Sequence, residues 1–499
     1  MHFNLTVKSV KSFGKYKPSS CLVKFLIDGT SLKKEVSKFL TDNGVEVSNF
    51  HSETFIEDKQ TSLRVENHNG SPEVFHLEKV KIDESFTVDY FRNYFAGLIQ
   101  KLSSEKVNNV LVELPDYVLV QEVFDSEEYY IRSAVEGMFL GNYTFDVYKT
   151  EKKTPEKLEI NVLSSDTRKT NRVIKSAQNL LEAVIFARDL VNEPASTLTP
   201  DELAKRTKTE LTKAGIKVTV LTKRELEKQK FNSILAVGAS SKNTPNMIVM
   251  NYKPTVKAKA KIVFVGKGVT YDTGGYSIKP TKAMLNMKAD MAGGAVVIGL
   301  IKAIALNKLP VEVTGVVPAV ENMISGSSFK PGDVISTSSG KTIEIMDTDA
   351  EGRLILADAL EYASKQKPDM IIDFATLTGS SAVALGLFLG AMFTNDDNLA
   401  AKLEEAGKKS YERIWRLPMW KEFMGELDSE IADISNLGGR YGGATHAAKF
   451  LEYFVDENIR WAHFDIAGPS IKHKLTNYTS KYHTGYGVRL GYEFVKGLL

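Results

Sequence analysis

The sequence is short of the residues that build covalent or thiolate-based sites. Its 499 residues include one cysteine, Cys21, and eight scattered histidines. A single cysteine excludes an intramolecular disulfide and a zinc site made of several thiolates, and no two histidines have the spacing of a metal-binding motif. The chain is compatible with a reducing compartment, and its functional residues have to be sought among other side-chain types.

The sequence also shows no pattern of a signal peptide or a membrane span, and it has no strong net charge. Residues 1–14, MHFNLTVKSVKSFG, lack the apolar core of a signal peptide, and we find no apolar run as long as a membrane span. The formal net charge is +2, with 43% hydrophobic and 25% charged residues, which is typical of a soluble globular protein. This charge does not indicate a nucleic-acid partner for the whole chain, although one domain could be locally basic. We therefore expect a cytoplasmic protein.

Several familiar motifs are incomplete. VFVGKGVTYDTGG begins like a dinucleotide-binding fingerprint, but Tyr271 stands at the third glycine position. ISTSSGKT ends like a phosphate-binding loop, but Ile335 stands where that loop begins with glycine. Neither a His-Glu-x-x-His metalloprotease motif nor a Gly-x-Ser-x-Gly nucleophile elbow occurs. We interpret His446 and His463 as structural residues.

The length of the chain predicts two domains, because single hydrophobic cores seldom extend over so many residues. Residues 1–165 show mixed strand and helix patterns and no cluster of catalytic residue types, so we interpret them as a smaller N-terminal α/β domain with an oligomeric or regulatory role. The charged, proline-containing stretch 148–157 is a candidate linker or loop. Residues 166–195 form a connecting segment, whose long amphipathic helix at about 170–191 ends before Pro194.

Residues 196–499 are predicted to form the larger, catalytic domain. Six β-rich runs, namely IKVTVL, NMIVMNY, KIVFVG, VEVTGVVP, PDMIIDFA and IRWAHFDIAG, are mostly separated by helical patterns. This alternation is typical of an α/β fold with a mixed, largely parallel central sheet. Ligands bind at the carboxyl ends of the strands in such sheets, so charged residues that directly follow β-runs are the candidates for a site.

Two stretches place such charges between glycines or before an apolar helix. After the run at 262–265, Lys267, Asp272 and Lys279 are interleaved with four glycines, which also fits a loop with solvated charges. Asp290 precedes a strongly apolar helix, where a carboxylate could simply complement the helix dipole. Neither stretch is decisive by itself.

The third stretch, DTDAEG, connects the strand-like run KTIEIM to the apolar-faced helix RLILADALEYA. If this connection is extended, Asp347, Asp349 and Glu351 project to one side, because strand side chains alternate with a period of two. Neighbouring carboxylates stay ionised together only when a cation neutralises them; otherwise the pKa of one of them rises. A solvated acidic surface loop is the alternative, but the glycine and the apolar neighbours favour metal binding.

Together the three stretches predict an oxygen-rich metal centre. The predicted ligands are Lys267, Asp272, Asp290, Asp349 and Glu351. A set of four carboxylates without thiol or imidazole suits hard or borderline divalent ions. Four carboxylates are more than one ion needs, which predicts a bridged pair of metals; such pairs activate water at neutral pH and occur in aminopeptidases.

The segments VGKGVTYDTGGYSIKP, MKADMAGG, DTDAEGRLILADAL and ATLTGS resemble the leucine aminopeptidase family of dinuclear metallopeptidases, which includes the bacterial aminopeptidase A enzymes. The resemblance covers about residues 170–499, and TDAEGRL is its most specific part. It implies a metal-dependent leucyl aminopeptidase that releases leucine or other apolar residues from the free N-terminus of short peptides. It also implies a homohexamer, a dimer of trimers whose active sites face an interior cavity.

The resemblance implies a role for each predicted ligand. The tighter of two ions would be held by Lys267, Asp272, Asp290 and Glu351, and the more exchangeable one by Asp272, Asp349 and Glu351. Zinc or manganese is the first expectation for the metal, and magnesium or cobalt would also fit. A lysine ligand must be neutral, and burial beside two cations would lower its pKa.

Lys279 and Arg353 match the two catalytic cations of the family. By this resemblance, Lys279 stays protonated and polarises the scissile carbonyl. Arg353 would hold a bicarbonate ion, which would act as general base toward the water that bridges the metals. The same match implies an apolar substrate pocket that involves Met287, Thr376, Leu377, Gly379 and Ala467. For Met287, plain core packing remains the alternative.

Three positions depart from the family pattern. Asp347 replaces the usual asparagine and adds a negative charge beside the metals. His446 replaces a small or β-branched residue, and Ser470 occupies a pocket position that is apolar in some relatives. Side-chain preference therefore stays open at this stage.

Two other functions compete with the peptidase. A phosphoryl-transfer hydrolase could use the same two metals, lysine and arginine, although the lysine ligand and the ATLTG segment favour the peptidase. A DNA-binding role, known for some bacterial relatives, would need a basic face that the net charge of +2 does not indicate.

Overall fold

The computed structural model describes residues 5–11, 20–57, 60–67, 72–151 and 157–499. The chain divides into two compact units, Met1–Leu181 and Glu182–Leu499, and the division falls inside one long helix. Residues 152–156 of the predicted linker lie outside the described residues, and so does Asn4 at the start of the predicted strand NLTVKSV.

The first unit contains one six-stranded sheet. Its strands are β1 Leu5–Val10, β2 Ser20–Ile27, β3 Ser62–Glu66, β4 Val74–Val80, β5 Asn109–Glu113 and β6 Leu158–Leu163, in the order β1-β6-β5-β2-β4-β3. Every pair is parallel except β3 with β4. Its helices are α1 Leu32–Asp42, α2 Asn49–Ile56, α3 Val88–Ser104, α4 Glu127–Gly141 and the first part of α5 Thr167–Asn192. The strands predicted in NLTVKSV, SCLVKFLI and NNVLVELP correspond to β1, β2 and β5, and the predicted helix corresponds to α3.

The second unit has more elements. Its strands are β7 Lys217–Leu221, β8 Asn246–Tyr252, β9 Lys261–Gly266, β10 Gly268–Asp272, β11 Glu312–Asn322, β12 Val334–Ser336, β13 Thr342–Glu344, β14 Met370–Ala375, β15 Gly390–Thr394, β16 Ile414–Arg416, β17 Ile434–Ser435 and β18 Arg460–Asp465. Its helices are α6 Pro200–Lys213, α7 Lys223–Lys228, α8 Asn232–Gly238, α9 Thr281–Met284, α10 Ala292–Leu306, α11 Glu351–Lys365, α12 Gly379–Leu385, α13 Asp397–Ser410, α14 Gly443–Glu452 and α15 Val488–Gly497.

Nine of these strands form the central sheet, in the order β16-β15-β18-β14-β9-β11-β8-β7, with β10 paired to β11. The neighbours β18, β14, β9 and β11 run parallel, and β10 is parallel to β11. The pairs β7–β8, β8–β11 and β15–β18 are antiparallel. The predicted mixed, largely parallel sheet is confirmed, and the carboxyl ends of its central strands meet at one edge.

By length and composition alone, the apolar segment Met287–Leu306 could cross a membrane. In the structure nearly all of it is buried inside the second unit, where its helix α10 packs on β9, β11 and β14. A two-sided apolar helix of this kind is typical of the core of an α/β domain. Because nearly all of this helix is buried, its sequence is apolar all round and shows no polar face.

The strands β12, β13 and β17 form a separate small sheet, in that order. β13 and β17 are parallel, with Glu344 opposite Ser435. Because parallel partners end side by side, the segment that follows β13 and the segment that follows β17 emerge next to each other. The first of these segments contains the predicted ligands Asp349 and Glu351.

Candidate metal centre

Side chains from four strand ends or helix starts converge at the carboxyl edge of the central sheet. Lys267 directly follows β9, Asp272 ends β10, and Asp290 lies two residues before α10. Glu351 is the first residue of α11. All four side chains are buried, so the charges that the sequence places after β-runs are not solvated loop residues.

The ammonium of Lys267 lies between two carboxylates. Its Nζ is 2.8 Å from Asp290 Oδ2 and 2.8 Å from Glu351 Oε1, and it donates a hydrogen bond of 3.1 Å to Thr376 O. The aliphatic part of Lys267 reaches this position past Gly352, where a Cβ would come within 2.5 Å of Lys267 Cε. Glycine after Glu351 is therefore required by packing, since any side chain there would displace the lysine.

Three carboxylates of this group could share a cation. Asp272, Asp290 and Glu351 each offer an oxygen, and these oxygens all lie within 4.8 Å of one another. Glu351 Oε2 is buried and has no hydrogen-bond partner among the described residues. Buried anionic oxygens without donors are costly unless a cation neutralises them. The donor set therefore fits a divalent metal, as the sequence predicts.

Lys279 and Asp349 stand on the more exposed side of the same group. Lys279 Nζ is 3.0 Å from Asp272 Oδ2 and 2.5 Å from Asp349 Oδ1. The Asp349 side chain is about one-third exposed, at 34%, whereas the Glu351 side chain is fully buried. The structure thus brings all five predicted ligands and Lys279 together: Lys267 contacts Asp290 and Glu351, and Lys279 contacts Asp272 and Asp349.

The pKa values of these groups reflect crowding without a metal. Burial raises the pKa of Asp290 and of Glu351, and the neighbouring carboxylates add to it. Burial, together with the charge of Asp272, raises the pKa of Asp349 to about 7. Burial opposes the charge of Lys267, but attraction by Asp290 and Glu351 outweighs it, so the pKa of that ammonium is raised. Bound protons and the two lysine ammonium groups balance the negative charge of these carboxylates, a role that divalent metal ions would also fill.

The connection DTDAEG is a turn and not the extended segment considered from the sequence. Asp347 Oδ1 accepts a hydrogen bond of 2.8 Å from the Asp349 amide, so its side chain folds back onto its own backbone. This is the local bond that aspartate favours at turns and before helices. The expectation that Asp347, Asp349 and Glu351 project equivalently to one side is therefore wrong, because Asp347 closes the turn that presents the other two.

Arg353 lies two residues beyond Glu351 in the buried first turn of α11. Its Nη1 donates a hydrogen bond of 2.7 Å to Asn436 O, and its Nε is buried without a hydrogen-bond partner in the described ranges. Burial lowers the pKa of this guanidinium to about 10, against the attraction of Glu351 and Asp347. A buried cation with an unused donor is suited to an anion.

Four of the five predicted substrate residues follow β14 or β18, and Met287 lies before α10. Thr376 Oγ1 donates to Asp290 Oδ1 at 2.8 Å, and its carbonyl oxygen accepts from Lys267 Nζ, so Thr376 contacts both members of that ion pair. Gly379 begins α12, and a Cβ there would meet no heavy atom within 4 Å. Met287 is half-buried in the short 3-10 turn Met287–Ala289 that leads to Asp290, and Ala467 follows β18.

Four residues that hold this site were missed from the sequence. Asn322, at the end of β11, donates from Nδ2 to Asp272 Oδ1 at 2.9 Å and to Thr348 O at 3.0 Å. Asp465, at the end of β18, accepts hydrogen bonds from the amides of Leu377 and Thr378 and from the Thr378 hydroxyl. Both end a β-run at the carboxyl edge, so the signal used for Lys267 could have found them.

The other two, Thr348 and Asn436, carry no such signal. Thr348 Oγ1 donates to Gly274 O at 2.6 Å and accepts from the Ser277 amide at 2.8 Å. It thereby joins the loop after β10 to the turn before α11. Uncharged residues in loops make such bonds only because the tertiary structure brings the two loops together.

The incomplete motifs have structural explanations. In ISTSSGKT, Thr337 and Ser338 donate to the Glu361 carboxylate, and the Ser338 amide donates to Asp358. The donors that made this loop resemble a phosphate-binding loop are thus used by carboxylates of the protein itself. His463 Nδ1 is 2.5 Å from Asp373 Oδ1 in the middle of the sheet.

Comparisons with known proteins agree with this arrangement. Residues 185–491 match the model of the catalytic domain of the cytosol aminopeptidase family, and residues 81–152 match the model of its N-terminal domain. A protein named "Probable cytosol aminopeptidase" from Chloroherpeton thalassium is 43% identical over 426 residues, which cover 82% of this chain and 84% of the relative.

Solved structures with the same architecture include a variant of tomato leucine aminopeptidase, with a TM-score of 0.86 and 31% identity, covering 98% of this chain and 96% of that chain. The bottromycin maturation enzyme BotP in complex with Mn has a TM-score of 0.83 and 31% identity, covering 96% of this chain and 99% of that chain. The similarity extends over both units in each case.

Proposed function

The chain belongs to the cytosol aminopeptidase family, and on this premise we propose that it is a leucyl aminopeptidase that removes leucine or another apolar residue from the free N-terminus of short peptides. The observation that carries the proposal is the buried group of Asp272, Asp290 and Glu351, which Lys267 and Lys279 contact. Membership of the family makes the protein a metal-dependent aminopeptidase; the preference for leucine is the proposed part.

The five predicted ligands would hold two divalent ions: Lys267, Asp272, Asp290, Asp349 and Glu351. The chemistry expected of such a pair is the activation of water at neutral pH and a Lewis-acid contact for the free terminal amine of the peptide. Zinc or manganese is proposed first, and the neighbour BotP is described with Mn. For Lys267 to donate its lone pair, its proton must leave, and the bound cations would replace the ammonium as the partner of Asp290 and Glu351.

Lys279 would polarise the scissile carbonyl of the peptide. It remains protonated beside Asp272 and Asp349, since their attraction outweighs burial and raises its pKa. An ammonium held in this way is positioned for the oxyanion that develops when the carbonyl is attacked, and such a donor contributes most where water is excluded. Its side chain is 16% exposed, so it can reach a substrate from the open side of the site.

Arg353 would hold bicarbonate, and the bicarbonate would accept a proton from the attacking water. The support is that Arg353 is buried and that its Nε has no hydrogen-bond partner among the described residues. The guanidinium fork matches a planar carboxylate-like anion in shape.

The substrate pocket would involve Met287, Thr376, Leu377, Gly379 and Ala467, whose mainly apolar character suits a leucine side chain.

We also propose a homohexamer that acts on short peptides, as the resemblance to the leucine aminopeptidase family implies. We propose a cytoplasmic location because relatives carry the name cytosol aminopeptidase. Size-exclusion chromatography with light scattering tests the assembly. A monomer that is fully active would overturn the hexamer as the working form.

The decisive experiment compares substrates on the purified protein after exchange with zinc, manganese, magnesium or cobalt at a fixed bicarbonate concentration. Leucine p-nitroanilide should be cleaved, and the N-acetylated form of it should not, because it lacks the free amine. Lysine and glutamate p-nitroanilides measure the side-chain preference. Release of phosphate from p-nitrophenyl phosphate without any amide cleavage would overturn the peptidase and favour a phosphoryl-transfer hydrolase.

A further inference from the structure

Asn436 is a fully buried residue that no part of the proposed chemistry uses. It directly follows β17, which pairs in parallel with β13. Its amide donates to Glu344 O at 2.9 Å and so continues the pairing by one residue. This places the Asn436 side chain beside Met346 and Asp347, in the turn that leads to the predicted ligands.

The side chain of Asn436 fixes that turn by three hydrogen bonds. Oδ1 accepts from the Met346 amide at 2.7 Å and from the Asp347 amide at 3.2 Å. Nδ2 donates to Asp347 O at 2.7 Å. An amide side chain is suited to this role, because it supplies an acceptor and a donor in the geometry of another peptide group.

The main chain of Asn436 holds the arginine. Its carbonyl oxygen accepts from Arg353 Nη1 at 2.7 Å, which is the only hydrogen bond of that guanidinium among the described residues. One residue therefore fixes both the turn that carries Asp349 and the cation that we place at the proposed bicarbonate. A displacement of Asn436 moves both together.

His446 lies against Gly438, in the segment that follows Asn436. Its ring is buried on α14 and lies over Gly438, where a Cβ would come within 2.5 Å of His446 Nδ1 and 2.7 Å of Cγ. Gly438 is two residues from Asn436, so the ring limits how far this segment can shift. This gives a contact for His446, a residue whose effect the sequence leaves open.

We infer that Asn436 is a positioning residue for Arg353, which it sets relative to Asp349 and Glu351 through its carbonyl oxygen and its side-chain amide. The inference rests on the proposed function, since the effect of Arg353 is measured as aminopeptidase turnover. A catalytic group that is misplaced by about 1 Å can lower a rate by about 100-fold, whereas substrate and metal binding at other residues need not change.

The test is a double-mutant cycle on the metal-loaded enzyme with leucine p-nitroanilide. Asn436→Ala should lower kcat by about tenfold or more, with KM within about twofold of wild type and with unchanged metal content. In an Arg353→Ala background, the same change should lower kcat by a clearly smaller factor than in wild type, because the part of its effect that passes through the arginine is already lost. Asn395→Ala is the matched control and should keep kcat. The Asn395 side chain also uses one donor and one acceptor, to Ile459 O and from the Trp461 amide, at the start of β18 and away from the end that carries Asp465.

If the factors by which Asn436→Ala and Arg353→Ala lower kcat simply multiply in the double variant, the two residues act independently. That result would overturn the inference and leave Asn436 a structural residue. A wild-type holoenzyme that releases no leucine would instead overturn the proposed function. Should Asn436→Ala fail to fold, Gly438→Ala is the second variant: it keeps Asn436 but forces the segment away from His446, and it should also lower kcat. Adding His446→Ala to Gly438→Ala should restore kcat at least partly, and a Gly438→Ala enzyme with wild-type kcat would overturn the inference.

Discussion

Lys267 Nζ lies 2.8 Å from Glu351 Oε1, in a part of the second unit that excludes water. Lys267 follows strand β9, and Glu351, the first residue of helix α11, lies 84 residues later in the sequence. Two charges so close and so deeply buried stabilise each other only while both are present, and removing either leaves an uncompensated charge. The same contact marks where a metal would replace the ammonium as the partner of the carboxylate.

Glu351→Ala should abolish both metal binding and activity. The variant removes a ligand that the proposed site shares between two ions, and it leaves Lys267 with Asp290 as its remaining close carboxylate partner among the described residues. We expect loss of metal on desalting, measured by elemental analysis, and a rate at least about 1,000-fold lower. Glu312→Gln, on the partly exposed start of β11, is the control and should keep both. A metal-loaded, active Glu351→Ala enzyme would contradict the ligand assignment.

Asp349→Ala should have a similar but more selective effect. The Asp349 side chain is about one-third exposed at 34% and would belong to the more exchangeable ion only. We expect nearly complete loss of activity with the loss of one of the two ions, measured by titration with Mn²⁺. Retention of both ions with normal affinity would exclude Asp349 as a ligand.

Lys279→Ala should separate metal binding from turnover. The ammonium contacts Asp272 and Asp349 but is not itself an expected ligand. Metal content should stay at the wild-type level while kcat falls by about 100-fold to 1,000-fold, because one donor to the developing oxyanion is lost. Lys330→Ala, at a surface ion pair, should keep kcat. A Lys279→Ala variant with normal kcat and a raised KM would instead assign this lysine to ground-state binding.

Arg353→Ala should be milder, and it should change the response to bicarbonate. In wild type, added bicarbonate should raise the rate until the proposed site at Arg353 is filled. The variant lacks the guanidinium fork, so the same addition should raise its rate less. The measurement is kcat at several bicarbonate concentrations in a carbonate-free buffer. Equal stimulation of both enzymes would place the bicarbonate elsewhere.

His483 should make the protein less stable in mild acid. Burial lowers the pKa of its imidazole from 6.5 to about 4, and Nδ1 is 3.2 Å from Ser470 O. The unfolded chain therefore binds a proton below pH 6.5 that the folded chain does not bind until about pH 4. The free energy of unfolding should fall as the pH drops through this window, by up to about 3 kcal/mol from this one group.

The matching measurement compares wild type and His483→Gln by thermal unfolding between pH 7 and pH 4, at equal metal content. Both proteins lose stability in acid through other groups, so the difference between them isolates His483. The variant should lose less stability on acidification than wild type does. Parallel curves for the two proteins would show that the imidazole is not held neutral by the fold.

The sequence by itself determined the class of the fold and the identity of the charged residues. Short β-rich runs that alternate with helical patterns are typical of an α/β sheet, and β8, β9, β11, β14 and β18 all occur where the runs predict them. Residues that directly follow such strands meet at one edge by the geometry of parallel strands. For this reason Lys267, Asp272 and Glu351 could be proposed as neighbours before any coordinates.

Only the tertiary structure decided what holds those residues in place. Asn436 reaches Asp347 and Arg353 because β13 and β17 pair in parallel, and no local pattern in the sequence predicts a pairing between segments that are 90 residues apart. The structure also separates Asp347 from its neighbours, since it closes a turn instead of facing the metal centre. Hydrophobic periodicity reports which side of an element is buried, whereas hydrogen bonds between distant loops depend on where the whole chain has brought them.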